Sequence, residues 1–285
     1  MKVEIKTWAA LGLAGALAGS GIAGCSDEAP ETEGDTDRVA AGLQPGPEGE
    51  GGEGGEAGEG GESGEGGIDA AAAARDPVAY LTALAVAEAH AIAAWEAYLA
   101  GKTDPAAEMF GHPVTEVLAE MEPVLTERGV ADLAPRFNEA SQAVLDGRSE
   151  IEVGERYGAV IAALERAEEN APETGVDGAQ VASRVVADLI ERAAAMYREA
   201  QSSRRYEPYL DGYGFYRAAA SAFEDAEPAI LAARPDLAAR IREALELLAA
   251  AYPGAERPET LDGEPGKLIA AGSRIALALD SAAQQ

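Results

Sequence analysis

The chain has 285 residues, a formal net charge of −29 and a single cysteine. That charge excludes nucleic acid and anionic lipid as natural partners, because both need a basic footprint. One thiol excludes a disulfide framework, a thiolate zinc site and a redox CxxC pair.

The first element is a short apolar run after Lys2 and Lys6, reaching from Trp8 to Ala23 and closing on Ile22-Ala23-Gly24-Cys25. A small positive segment, a run too short to span a bilayer comfortably and small residues before the cysteine have the layout of a cleaved export signal. The tetrapeptide resembles the lipobox of bacterial lipoproteins. The resemblance implies a signal peptide over 1–24, cleavage before Cys25 and acylation of its thiol. Two or three buried acyl chains, at about 0.8 kcal/mol per CH₂, hold a protein on a membrane without crossing it. Ser26 follows the cysteine, which in the sorting rule of many Gram-negative lipoproteins favours the outer membrane, with the body facing the periplasm or the cell surface.

From Gly46 to Gly66 glycine recurs every third residue, and glutamate follows it in all triplets but Gly46-Pro47-Glu48. The period matches collagen, but Glu50, Glu53, Glu56, Glu59, Glu62 and Glu65 repel one another and the imino acids that pre-form a polyproline helix are nearly absent. Glycine entropy and like-charge repulsion leave nothing to offset ordering. Residues 25–75 therefore read as the lipidated cysteine and a disordered acidic tether, spanning roughly 40 Å on average and up to about 170 Å when stretched.

Beyond residue 75 the chain turns alanine-rich and helix-periodic, with glycine and proline as punctuation. Period-2 runs of β-branched residues and hairpin dipeptides are missing, so the expectation for 76–285 is one all-α antiparallel bundle of about seven or eight helices. Asp76-Pro77 caps and opens a helix to about Ala100. Asp104-Pro105 starts a short one, and Pro113 opens another that ends near Arg128 and bends at Pro123. Leu133, Phe137, Val144 and Leu145 mark the next, closed by Gly147. Val153, Tyr157, Val160, Ile161 and Leu164 share one face of a fifth. Val181, Val185, Leu189, Ala193 and Met196 line a long helix after Asp177. Tyr209, Tyr213, Tyr216 and Phe223 line another, bent or broken at Pro228. Pro235-Asp236 opens the helix of Leu237, Ile241, Leu245 and Leu248; Leu268, Ile275 and Leu279 belong to the last.

The acidity is not confined to the tether. The signal carries one net positive charge and residues 26–75 a net −12, which leaves −18 for the helical body. Cations and basic proteins suit such a surface, and so does the simpler task of keeping an alanine-rich bundle soluble.

No HExxH, P-loop or Rossmann glycine pattern occurs, and with His90 and His112 the only histidines, imidazole acid–base schemes have few candidates. The chain is not expected to be an enzyme. Both histidines fall in one narrow window. On the first helix Glu88 takes a place in the stripe Leu81, Leu84, Ile92, Trp95, Leu99 where leucine is expected, and His90 sits on the alanine face of Ala83, Ala87, Ala94 and Ala97. His112 is followed by Glu116 and Glu120 at successive steps of four, which aligns them on one side of a helix. Helices that present His and Glu inward are how bundle metal sites are built, and oxygen ligands with imidazole suit iron, manganese or zinc. A capping histidine and a solvated glutamate face are the plainer reading of the same residues. Downstream, Glu207, Tyr209, Asp211 and Tyr213 form a polar-aromatic patch within a run of aromatics that also reads as a core layer.

The stretch Gly111-His112-Pro113-Val114-Thr115-Glu116-Val117-Leu118, followed by Glu120, Met121, Glu122 and Pro123, and the string Tyr209-Leu210-Asp211-Gly212-Tyr213-Gly214-Phe215 resemble two patches of helical periplasmic proteins fused to or encoded with high-affinity iron permeases. A looser similarity is to imelysin-like iron-associated lipoproteins with a Gly-x-His-x-x-Glu motif, although Glu116 comes four residues after His112. These resemblances imply a lipid-anchored envelope protein that binds iron or another divalent metal in support of uptake, with a permease as partner. Its ligands would be His112 and Glu116, with help from His90, Glu88 or Asp211. The alternative is a non-catalytic helical scaffold for another envelope protein. Convergence of His90, His112 and an acid from 207–213 on one point separates the two.

Overall fold

The computed structural model describes residues 68–283. The signal, Cys25 and the Gly/Glu triplets lie outside the described residues. Among the described residues every regular element is helical, and the protein is an all-α antiparallel bundle.

The chain enters the body earlier than its composition suggests. Asp69 accepts a hydrogen bond from the Ala72 N–H at 2.9 Å and starts a one-turn helix, α1 (Ala70–Ala73), whose Ala73 is fully buried. The tether expected to reach residue 75 therefore ends, within the described residues, in a packed turn. Small alanines cost no side-chain entropy to bury, so Ala73 docks, with Ala70 partly covered, where a charged linker would not.

Helix α2 (Pro77–Leu99) begins as expected, with the Asp76 carboxylate accepting from the Val78 N–H and Pro77 in the first turn. It stops where Gly101 takes a left-handed φ of 73°. By length and composition α2 could cross a membrane, but most of it is buried inside the body. A helix that is apolar all round is the core helix of such a protein, and α2 packs on helices from both halves of the chain.

Next come α3 (Thr103–Pro113), a π-helical turn over Val114–Leu118 and α4 (Ala119–Glu127), which follow one another without a break. Pro113, expected to open a new helix, instead lies inside this rod. It has no N–H to return to the preceding turn, and the ladder widens just after it, where Ala119 N–H donates to the Val114 carbonyl five residues back. Then follow α5 (Leu133–Leu145), closed by Gly147 at φ 64°, and α6 (Glu150–Glu168), which opens with a reciprocal capping box between Ser149 and Glu152.

In the second half, α7 (Gly178–Ser202) starts on the Asp177 carboxylate, and α8 (Glu207–Ala233) continues without interruption past Pro228. The expected break does not occur. Phe223 and Ile230 are buried on either side of the proline, and their packing holds the helix across one missing bond. Helices α9 (Pro235–Ala251) and α10 (Pro265–Ala283) complete the chain. Counting this continuous rod once, eight helices longer than α1 are described.

The rod with α2, α5 and α6 makes one cyclic group of neighbours, and α7 to α10 make another. Tyr80 reaching the Ala167 carbonyl and Trp95 stacking on Tyr157 show α2 and α6 antiparallel. Helix α2 also touches α7 and α8, and so joins the two groups. That junction is where the histidines lie.

Candidate metal centre

The close approach of α8 to α2 depends on a glycine. A Cβ on Gly214 would stand 2.4 Å from the Ala89 carbonyl oxygen and 3.0 Å from the Ala93 Cβ, so only a residue without a side chain fits. On the other side of α8 a Cβ on Gly212 would stand 2.9 Å from the Met196 Cβ, against α7. Asp211 precedes this glycine pair, and its buried carboxylate is delivered to the neighbour of Ala89, His90.

His90 is 2% exposed. Its Nδ1 lies 2.8 Å from the Val86 carbonyl, an acceptor, so Nδ1 carries the proton and the Nε2 lone pair is left available. No hydrogen-bond donor meets that buried Nε2, and Asp211 Oδ1 lies 3.7 Å from it. A carboxylate at this distance favours an imidazolium, but burial outweighs it. Desolvation, with smaller contributions from His112 and Arg192, pushes the His90 pKa down to about 4 against the opposing pull of the Val86 bond. Neutral imidazole is the form that ligates metals.

His112 comes from α3, its ring centroid 6.0 Å from that of His90 in an edge-on arrangement. Phe215 packs edge-on against the other side of His90 at 5.7 Å, and the Arg192 guanidinium lies over that phenyl ring. One ligand atom each from His90, His112 and Asp211 lies within 4.8 Å of the other two, and this group can hold a metal ion. Bonds of about 2.0–2.2 Å would bring the ligand atoms to roughly 3–3.5 Å apart, so a separation at the 4.8 Å limit has to close by about 1.3–1.8 Å. His112 has a side chain 22% exposed, which leaves this edge of the group open to solvent.

Glu116 stands on the π turn beside His112. Its Oε2 is buried with no hydrogen-bond partner, and burial, assisted by Glu207, raises its pKa against the opposing effect of His112. The π turn after Pro113 thus carries a carboxylate within electrostatic reach of the histidine, and π-bulges are frequent at functional sites.

Three of the expected residues lie elsewhere. Glu88, two residues before His90 on α2, faces the opposite way, toward Glu165 of α6 and Asp225 of α8, where burial and those charges raise its pKa to about 8. The Tyr209 hydroxyl donates to the Gly254 carbonyl at 2.8 Å. The Tyr213 hydroxyl accepts from Arg217, which also pairs with Glu96. Both tyrosines therefore belong to the packing of α8, in the sense of the core-layer alternative. A surface cleft of about 410 Å³ lined by Lys102, Tyr206, Glu256 and Arg257 contains none of these donors.

Glu207, expected in the polar-aromatic patch and not among the named ligands, lies beside the centre with Oε1 4.0 Å from His112 Nε2. A signal for it was present: it precedes Asp211 by four residues, which puts both on one face of α8. Arg192 had no such signal, because nothing local relates α7 to His90.

Comparison with protein-family models, with curated proteins and with solved structures returns no match.

Proposed function

We propose that the helical body is a metal-cation binder, with His90, His112 and Asp211 as the ligand core and Glu116 beside it, carried at the bacterial envelope on a lipid-modified Cys25 and serving metal uptake, with iron as the cation. The observation that carries the reading is the convergence of two imidazoles and a carboxylate from α2, α3 and α8 within 4.8 Å, with the His90 Nε2 lone pair kept unprotonated by burial. Mixed imidazole and carboxylate donors suit iron, manganese and zinc and are too nitrogen-rich for calcium or magnesium. An acidic body attracts cations and repels anionic headgroups. The uptake role and the permease partner follow from the resemblance of the two sequence patches.

Calorimetric titration of the purified protein with Fe²⁺ under anaerobic conditions, and with Zn²⁺, tests the centre. One equivalent is expected to bind, and His112→Ala, a change at a half-buried position, is expected to weaken it about a hundredfold with unchanged helicity. Identical heats for the two proteins would remove the metal reading and leave the scaffold.

A further inference from the structure

Three protein donors leave most transition-metal ions short of the four to six they take, so the centre needs another ligand or water. Glu207, the first residue of α8, is divided between two partners. Its Oε2 accepts from Arg205 Nη1 at 3.2 Å, and Arg205 also reaches Glu199 Oε1 at 2.8 Å with Nη2. Its other oxygen, Oε1, lies 4.0 Å from His112 Nε2, too far for a hydrogen bond but beside one member of the cluster. Asp211 follows one turn later on the same face of α8, so the helix that already delivers one carboxylate delivers the second from the same direction. The Arg205 side chain is 61% exposed, and an ion pair in that setting is weak.

We propose that Glu207 is an exchanging metal ligand, held by Arg205 while the centre is empty and drawn to the cation when one binds between His90, His112 and Asp211. The exchange rests on the metal reading above. Arg205 then acts as an internal competitor for the carboxylate, and it sets the affinity of the centre without touching the ion.

The test is a double-mutant cycle read by Co²⁺ and Zn²⁺ titration of the whole protein. Glu207→Gln is expected to weaken binding about tenfold and to alter the visible absorption of bound Co²⁺, because a carboxylate leaves the ligand set. Arg205→Gln is expected to tighten binding about threefold and to leave that spectrum unchanged. In the Glu207→Gln background the Arg205→Gln change should have no effect on affinity. Equal tightening in both backgrounds would mean that Arg205 acts only through its charge, and would overturn the exchange. So would a Co²⁺ spectrum unaffected by Glu207→Gln while the unsubstituted protein binds normally. If the unsubstituted protein binds neither ion, the metal reading itself fails and the exchange falls with it.

Discussion

Helix α2 turns two ionisable side chains inward two residues apart, His90 and Glu88, and they meet opposite surroundings. Toward α3 and α8, His90 finds another imidazole and a carboxylate, donors of mixed type that converge within 4.8 Å. On the other side Glu88, 4% exposed, finds other carboxylates. Glu165 and Asp225 repel it, and Glu168, itself raised well above the ordinary carboxylate range by burial and by these neighbours, faces the same region. Among the described residues only the first group converges closely enough to hold an ion. Burial lowers the proton affinity of an imidazole and raises that of a carboxyl, so the same buried helix prepares a lone pair on one face and a bound proton on the other.

This contrast is sharpest in its pH dependence. The folded Glu88 pKa of about 8 lies above the ordinary 4.5, so its contribution to stability is full below the ordinary value and is lost as pH rises through about 8. Glu88→Gln has no proton to lose. Urea unfolding at pH 5 and pH 9 should show a loss that is larger in the parent than in the variant, where Glu168 still titrates, by on the order of 4 kcal/mol. Metal affinity should be the same in both. A parallel loss in the two proteins would place the neutral carboxyl elsewhere.

Gly214→Ala attacks the other face. Its new methyl meets the Ala89 carbonyl at 2.4 Å, and backbone cannot step aside as a flexible side chain can. The expected cost is about 3 kcal/mol, seen in thermal unfolding. The fraction that remains folded at 20 °C should bind metal more weakly, because Asp211 moves away from His90. Full affinity in this variant would show that the α2–α8 contact does not set the centre.

The smallest effect is expected from Tyr209→Phe. Removing the hydroxyl leaves the Gly254 carbonyl without its bond and should cost about 1 kcal/mol with metal affinity untouched. A loss of affinity would return Tyr209 to the ligand set.

Much of the helical order was legible because its signals are local. Asp76-Pro77, Asp177 and the glycines 101 and 147 mark helix ends through the geometry of one residue and its immediate neighbours. Prolines were less legible. Pro113 was expected to open a helix and Pro228 to bend or break one, yet both lie inside continuous helical segments, since packing on either side can outweigh one missing hydrogen bond. The site was readable in kind and not in membership. His90, His112 and Asp211 come together, with Glu116 in electrostatic reach of His112, whereas Glu88, equally anomalous in an apolar stripe, faces other acids, and Glu207 enters through a helix register that no spacing around His112 reveals.

The amino-acid order alone determined the helical class and the acidic character, because propensity, periodicity and charge act within a few residues or simply add. Only the packed structure decided which face of α2 meets α8, since that depends on Gly214 allowing two backbones to touch. A ligand set is a set of distances between residues remote in the chain, and such distances exist only once the helices have docked.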